Sequence, residues 1–173
     1  MGFPVQSLRF MKKTGGHELM KKIASFTVNH DLLDRGVYVS RIDGDAVTYD
    51  IRVKKPNQGD FISPKALHTM EHLLATYVRN SVYSDGIIYA GPMGCRTGFY
   101  LVTRDTIPKN EILALLREAF QYIAAFQGEI PGSKRAECGN YLEHDLKAAN
   151  REAREYLDVL KTITEQNMNY KEF

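Results

Sequence analysis

A chain of 173 residues, 43% hydrophobic and 25% charged, carries enough apolar side chains for one domain with a sizeable core. Its 23 basic and 21 acidic residues leave a formal charge of only +2, with the signs mixed as in "NREAREYLDVLK" (150–161), so neither nucleic acid nor an anionic membrane is an expected partner. No apolar run approaches the roughly 20 residues that span a bilayer, and the N-terminus shows no secretory h-region, which makes the cytoplasm the expected location.

Residues 1–19 have no clear period, and a second start-like sequence, "MKKIASFTVNH", begins at Met20. Residues 1–19 therefore read as a leader or cloning remnant outside the fold, and 20–173 as the domain. "GVYVSRI" and "AVTYDIRV" alternate apolar and polar residues around Asp43, Gly44 and Asp45, the pattern of a β-hairpin. Ser63 followed by Pro64 is an N-cap with a first-turn proline, predicting a helix to about Asn80. "GIIYAG" and "GFYLVT" read as strands flanking the glycine-rich "GPMGCRTG". Helical spacing of Ile112, Leu115, Leu116, Ala119, Phe120 and Ile123 predicts a helix from Pro108 to about Gln127. After the loop "GEIPGSKRAECG", a last helix is predicted from near Asn140, with Leu142, Leu146, Ala149, Ala153, Leu157 and Leu160 as its apolar stripe. Strands and helices mix without a βαβ rhythm. The expected class is α+β, a largely antiparallel sheet packed against about three main helices in a single domain.

The helix "SPKALHTMEHLLATYVRN" sets His68 and His72 four residues apart on one face, where two ring nitrogens can converge on one ion. Glu71 lies beside them. A pair of hydrogen-bonded core histidines is the plainer alternative, but the added carboxylate in a leucine-rich helix favours a metal site. His-x-x-Glu-His is also the spelling of the inverzincin peptidases, whose chains are large and whose site needs a distant carboxylate.

Of the two cysteines, Cys138 precedes Asn140, read as the cap of the last helix with Glu143 at its third position; a thiolate at a helix N-terminus is favoured electrostatically. With His68 and His72 it would complete a His2Cys site with an open fourth position, as catalytic metal sites have. His144 is a possible competing ligand, but inside the predicted helix it serves the surface or core. Cys95 sits between glycines beside Arg96, where a neighbouring cation favours the thiolate and glycine lets a ligand approach. A small buried thiol is its alternative reading; a Cys95–Cys138 disulfide is disfavoured in a cytoplasmic protein.

"SFTVNH" (25–30), "YDIRVKKPN" (49–57), "HTMEH" (68–72), "PMGCRTGFY" (92–100) and "ECGNYLEHDL" (137–146) resemble, in order, the motifs of the LuxS family of S-ribosylhomocysteine lyases. The resemblance runs from about Met20 to near the end of the last helix. It implies a ferrous ion, replaceable by zinc or cobalt, held by His68, His72, Cys138 and a water. It implies Glu71 and Cys95 as the acid–base pair, and Ser25, His30 and Arg52 as substrate contacts, partly across a homodimer interface. Many members have an aspartate and a serine shortly before "PMGC", where this chain has Tyr89 and Gly91, a departure at the position whose aspartate contacts the sugar in those members.

The implied reaction converts S-ribosylhomocysteine to homocysteine and 4,5-dihydroxy-2,3-pentanedione, the autoinducer-2 precursor, by carbonyl migration and β-elimination, linking the enzyme to quorum sensing and methionine recycling. Cys95 would move protons between carbons and Glu71 those on oxygens. Two other readings stay open at this level. A peptidase would recruit Glu137 or Glu143 as third ligand and tolerate loss of both cysteines. A non-enzymatic metal-binding or sensor protein would close the fourth position.

Overall fold

The computed structural model describes residue 23 and residues 26–170; residues 1–19, Met20 and Ser25 lie outside the described residues. Strands β1 (Gly36–Asp43), β2 (Ala46–Arg52), β3 (Ile87–Pro92) and β4 (Gly98–Arg104) form one antiparallel sheet in the order β1-β2-β4-β3. Three helices, α1 (Pro64–Arg79), α2 (Lys109–Ala125) and α3 (Leu146–Leu160), make this an α+β fold. Among the described residues no helix is long and apolar enough to cross a membrane.

Alternation along β2 decides what the sheet covers. Val47, Tyr49 and Ile51, and Val53 just past the strand, belong to the core with Leu73, Leu74, Leu115 and Phe120 from the helices. Burying each such side chain contributes about 1.5–3 kcal/mol. Asp50 and Arg52 fall on the opposite face. The β1–β2 turn is two residues long, and Gly44 takes a φ of +61° that suits a residue without a Cβ.

Helix α1 begins as its sequence predicts, with the Ser63 hydroxyl accepting from the Ala66 amide at 3.3 Å and Pro64 in the first turn. Helix α2 runs within the predicted 108–127. The last helix differs. It begins at Leu146, six residues beyond Asn140, and its cap is Asp145, whose carboxylate accepts from the Ala148 amide at 2.9 Å. Asn140 and Glu143 therefore form no capping box, Leu142 is 72% exposed rather than part of the stripe, and Cys138 is not at a helix N-terminus. The reason is competition for backbone groups. His68 takes the Glu143 carbonyl and Thr69 takes the Asp145 amide, so the chain is fastened to α1 through groups that an earlier helix would have used internally.

Candidate metal and thiol centres

Two chemically distinct centres form at the N-terminal end of α1. In the first, His68 and His72 project from the helix and are met by Cys138 and His144 from the segment between α2 and α3. One ligand atom from each of the four lies within 4.8 Å of all the others. The Cys138 sulfur is 3.4 Å from His68 Nε2 and accepts the Asn140 amide at 3.4 Å.

The ring tautomers follow from the second contacts. His68 Nδ1 meets the Glu143 carbonyl at 2.9 Å and His72 Nδ1 meets the Pro131 carbonyl at 2.8 Å. A carbonyl only accepts, so both Nδ1 atoms carry the proton and both Nε2 lone pairs are left bare. At Gly132 a φ of +71° turns the chain so tightly under His72 that an added Cβ would lie 3.2 Å from Nδ1.

His144 is the residue that sequence reasoning misplaced. Lying outside α3, it stacks on His68 with centroids 4.2 Å apart and stands edge-on to His72 at 4.9 Å. Its Nδ1 is 3.2 Å from the Thr69 hydroxyl, which gives its own proton to the Lys65 carbonyl at 2.8 Å. Thr69 must then accept from Nδ1, which leaves His144 Nε2 a bare lone pair, buried and without a partner. Burial, then the neighbouring His68 and His72 rings, hold its imidazole below the ordinary histidine range. Three bare imidazole nitrogens and a thiol sulfur fit a divalent transition ion of the zinc or ferrous type, and the cluster can hold one. No carboxylate joins this set among the described residues, and Glu137 instead bonds locally to the Lys134 amide, which removes the third ligand that a peptidase requires.

The second centre is the turn between β3 and β4. Cys95 lies there with an exposed side chain, and its sulfur is 3.1 Å from the Thr97 hydroxyl and 3.9 Å from Arg52 Nη1. Arg52 is 2% exposed, so it is no surface arginine. Arg96, the neighbour in sequence, puts its guanidinium over the Phe61 ring at 5.7 Å, and the cation touching the sulfur comes from β2 instead. The Ile62 amide donates to the Arg96 carbonyl at 3.0 Å, tying this turn to the residue just before the α1 cap. Glu71 sits half-buried beside His72. His30 bonds back to its own segment, with Nδ1 3.0 Å from the Val28 carbonyl, and not to a residue of either centre.

The S-ribosylhomocysteinase (LuxS) family model matches residues 23–167. The chain belongs to the LuxS family. An S-ribosylhomocysteine lyase of Clostridium acetobutylicum is 48% identical over 158 residues, covering 88% of this chain and all of that protein. Similar lyases of Phocaeicola vulgatus and Porphyromonas gingivalis are each 48% identical over 157 residues, covering 87% of this chain and 98% and 99% of theirs. Both centres lie inside the matched span.

Proposed function

We propose that the chain is a metal-dependent carbon–sulfur lyase that cleaves S-ribosylhomocysteine to homocysteine and 4,5-dihydroxy-2,3-pentanedione. The observation that carries this reading is the separation of two sulfur centres: Cys138 stands among imidazole lone pairs, while Cys95 stands apart against an arginine and a threonine. One sulfur is built to bind an ion and the other to handle protons. Membership of the LuxS family supports the substrate.

A divalent cation on His68, His72 and Cys138, with ferrous iron proposed and zinc or cobalt as substitutes, would supply Lewis acidity toward the carbonyl and hydroxyl oxygens of the sugar, which would take the place of His144, the fourth donor of the cluster. Cys95 removes the proton α to the carbonyl and returns it to the adjacent carbon, moving the carbonyl from C1 to C2 and then to C3. Glu71 exchanges the matching protons on oxygen. With the ketone at C3, the C4 proton is acidic. Its removal expels the homocysteine thiolate from C5, and the thiolate takes up the proton, so no redox change is needed. Arg52 and the Thr97 hydroxyl hold the Cys95 sulfur through this sequence.

Ser25 and His30 are proposed as further substrate contacts across a homodimer interface, a role suited to a segment in which Phe26 and Leu32 are exposed apolar residues. The proposed location is the cytoplasm. Incubating reduced, metal-loaded protein with S-ribosylhomocysteine and titrating free thiol tests the reading: stoichiometric homocysteine is expected, and none would overturn it.

A further inference from the structure

The sheet face turned away from the helices holds an ion pair that is almost completely hidden. Asp50 is 1% and Arg52 2% exposed, although they lie on the face opposite Tyr49 and Ile51. Their neighbours across the ladder explain the burial. Tyr38 on β1 and Tyr100 on β4 stand opposite Asp50, and Gly36 and Gly98 stand opposite Arg52. At Gly98 a Cβ would run into the Ile51 carbonyl. At Gly36 a Cβ would meet the Tyr38 ring, so that ring lies down over β1 on the face that holds the ion pair.

The remaining cover comes from the end of the chain. Strand β1 is a sheet edge, and its register shifts between Val39 and Arg41. There the Val39 amide donates outward to the Met168 carbonyl at 2.7 Å, fastening the segment after α3 along the edge. This brings Tyr170 over the face, its ring stacked on Tyr38 at 5.1 Å and its hydroxyl 2.8 Å from Asp50 Oδ2. Arg52 Nη2 donates to the same oxygen at 2.6 Å, while Nη1 reaches Thr97 Oγ1 at 2.5 Å and the Cys95 sulfur at 3.9 Å. Since Arg52 donates to Thr97, the threonine proton is free to point at the sulfur, 3.1 Å away.

We propose that Asp50 and Tyr170 are positioning residues for Cys95, and that the C-terminal segment is thereby part of the working site. Tyr170 and Arg52 grip one oxygen of Asp50, and Asp50 fixes the guanidinium so that Nη1 stays on the sulfur. Burial and the Asp50 charge push the Tyr170 hydroxyl well up, so it remains a protonated donor. A purely structural contact here would be better served by apolar side chains, because Asp50 Oδ1 and Arg52 Nε are buried without partners. Retaining so much polar surface suits an arrangement whose output is the placement of one charge. The inference rests on the reading of Cys95 as the proton carrier.

The test uses full-length, metal-loaded Tyr170→Phe and Asp50→Asn. Tyr170→Phe keeps the ring on Tyr38 and removes only the hydroxyl, so it decides the matter even where Asp50→Asn folds poorly. The readouts are the iodoacetamide alkylation rate of Cys95, followed by peptide mass spectrometry, and kcat and KM measured separately. Loss of a hydrogen bond to a charged group predicts that both the alkylation rate and kcat of Tyr170→Phe fall by about tenfold, with KM and circular dichroism unchanged. Wild-type alkylation and kcat in Tyr170→Phe would overturn the relay. Failure of the lyase reading looks different: wild-type protein releases no homocysteine, whatever the alkylation rates of the variants.

Discussion

Arg52 and Cys95 lie 43 positions apart in the chain, and Arg52 Nη1 stands 3.9 Å from the Cys95 sulfur. The contact is made by register. Arg52 pairs with Gly98 across the β2–β4 ladder, three residues beyond Cys95, so the turn folds back over the guanidinium.

This burial makes Arg52 a risky residue to truncate. Arg52→Ala would strand the Asp50 carboxylate in the interior, with an expected stability loss of about 3–5 kcal/mol. Arg52→Lys keeps the charge but cannot reach Asp50 and Thr97 together as the planar fork does. It should fold and lose most of its kcat/KM. Urea unfolding and the thiol assay on both variants check this, and a fully active Arg52→Lys would make charge alone sufficient.

The two cysteines should separate cleanly. Cys138→Ala is expected to lose bound metal and activity together. Cys95→Ser should keep stoichiometric metal and its fold while turnover falls by about 10²–10⁴-fold or more, because a serine hydroxyl does not ionise near neutral pH. Metal analysis beside the thiol assay reads all four values. Metal loss from Cys95→Ser with retention by Cys138→Ala would reverse the ligand assignment.

His144 aims a bare nitrogen at the cluster, so its removal should weaken the ion's hold. His144→Gln is expected to lower cobalt affinity by about 10–100-fold and to alter the visible spectrum of the cobalt-loaded protein. An unchanged affinity and spectrum would return His144 to a packing role.

Tyr89 and Gly91 are coupled through space: the Tyr89 ring lies across Gly91, where a Cβ would collide with its hydroxyl. Tyr89 is 49% exposed, so a side chain at 91 can displace the ring rather than break the strand. Gly91→Ser should therefore destabilise the protein only while Tyr89 is present. A double-mutant cycle with Tyr89→Asp should give a coupling energy of at least about 0.5 kcal/mol. Simple additivity would show that the two positions vary independently.

Tyrosine burial sets the alkaline limit. Burial raises Tyr38, Tyr49, Tyr100, Tyr156 and Tyr170 above their ordinary range, and Tyr156 well above it. Below about pH 10 these hydroxyls are protonated in both folded and unfolded chains, and the stability they contribute is intact. As pH climbs past that value the unfolded chain ionises first, so stability falls with rising pH. Urea midpoints across that range should drop, and drop less steeply for Tyr170→Phe. A flat profile would contradict the burial of these rings.

Much of the fold and half of the first centre were legible in local spacing. The Ser63–Pro64 start, the alternation of β2 and the paired His68 and His72 each depend on neighbours within a few residues, and short-range geometry alone dictates them. The start of α3 was not legible, because Asn140 and Asp145 are both competent caps by sequence. The choice between them was made by His68 and Thr69, which claim the Glu143 carbonyl and the Asp145 amide from 75 and 76 residues away. That same choice released His144 from the helix and turned it onto the α1 histidines. The cation on Cys95 was decided in the same way: sequence adjacency pointed to Arg96, whereas strand register delivered Arg52 and sent Arg96 to Phe61. Local patterns determine which elements form and which donors share a face. Which orphan backbone group finds which side chain is decided only when the elements pack, since each buried donor and acceptor must then be satisfied by whatever the tertiary fold brings within reach.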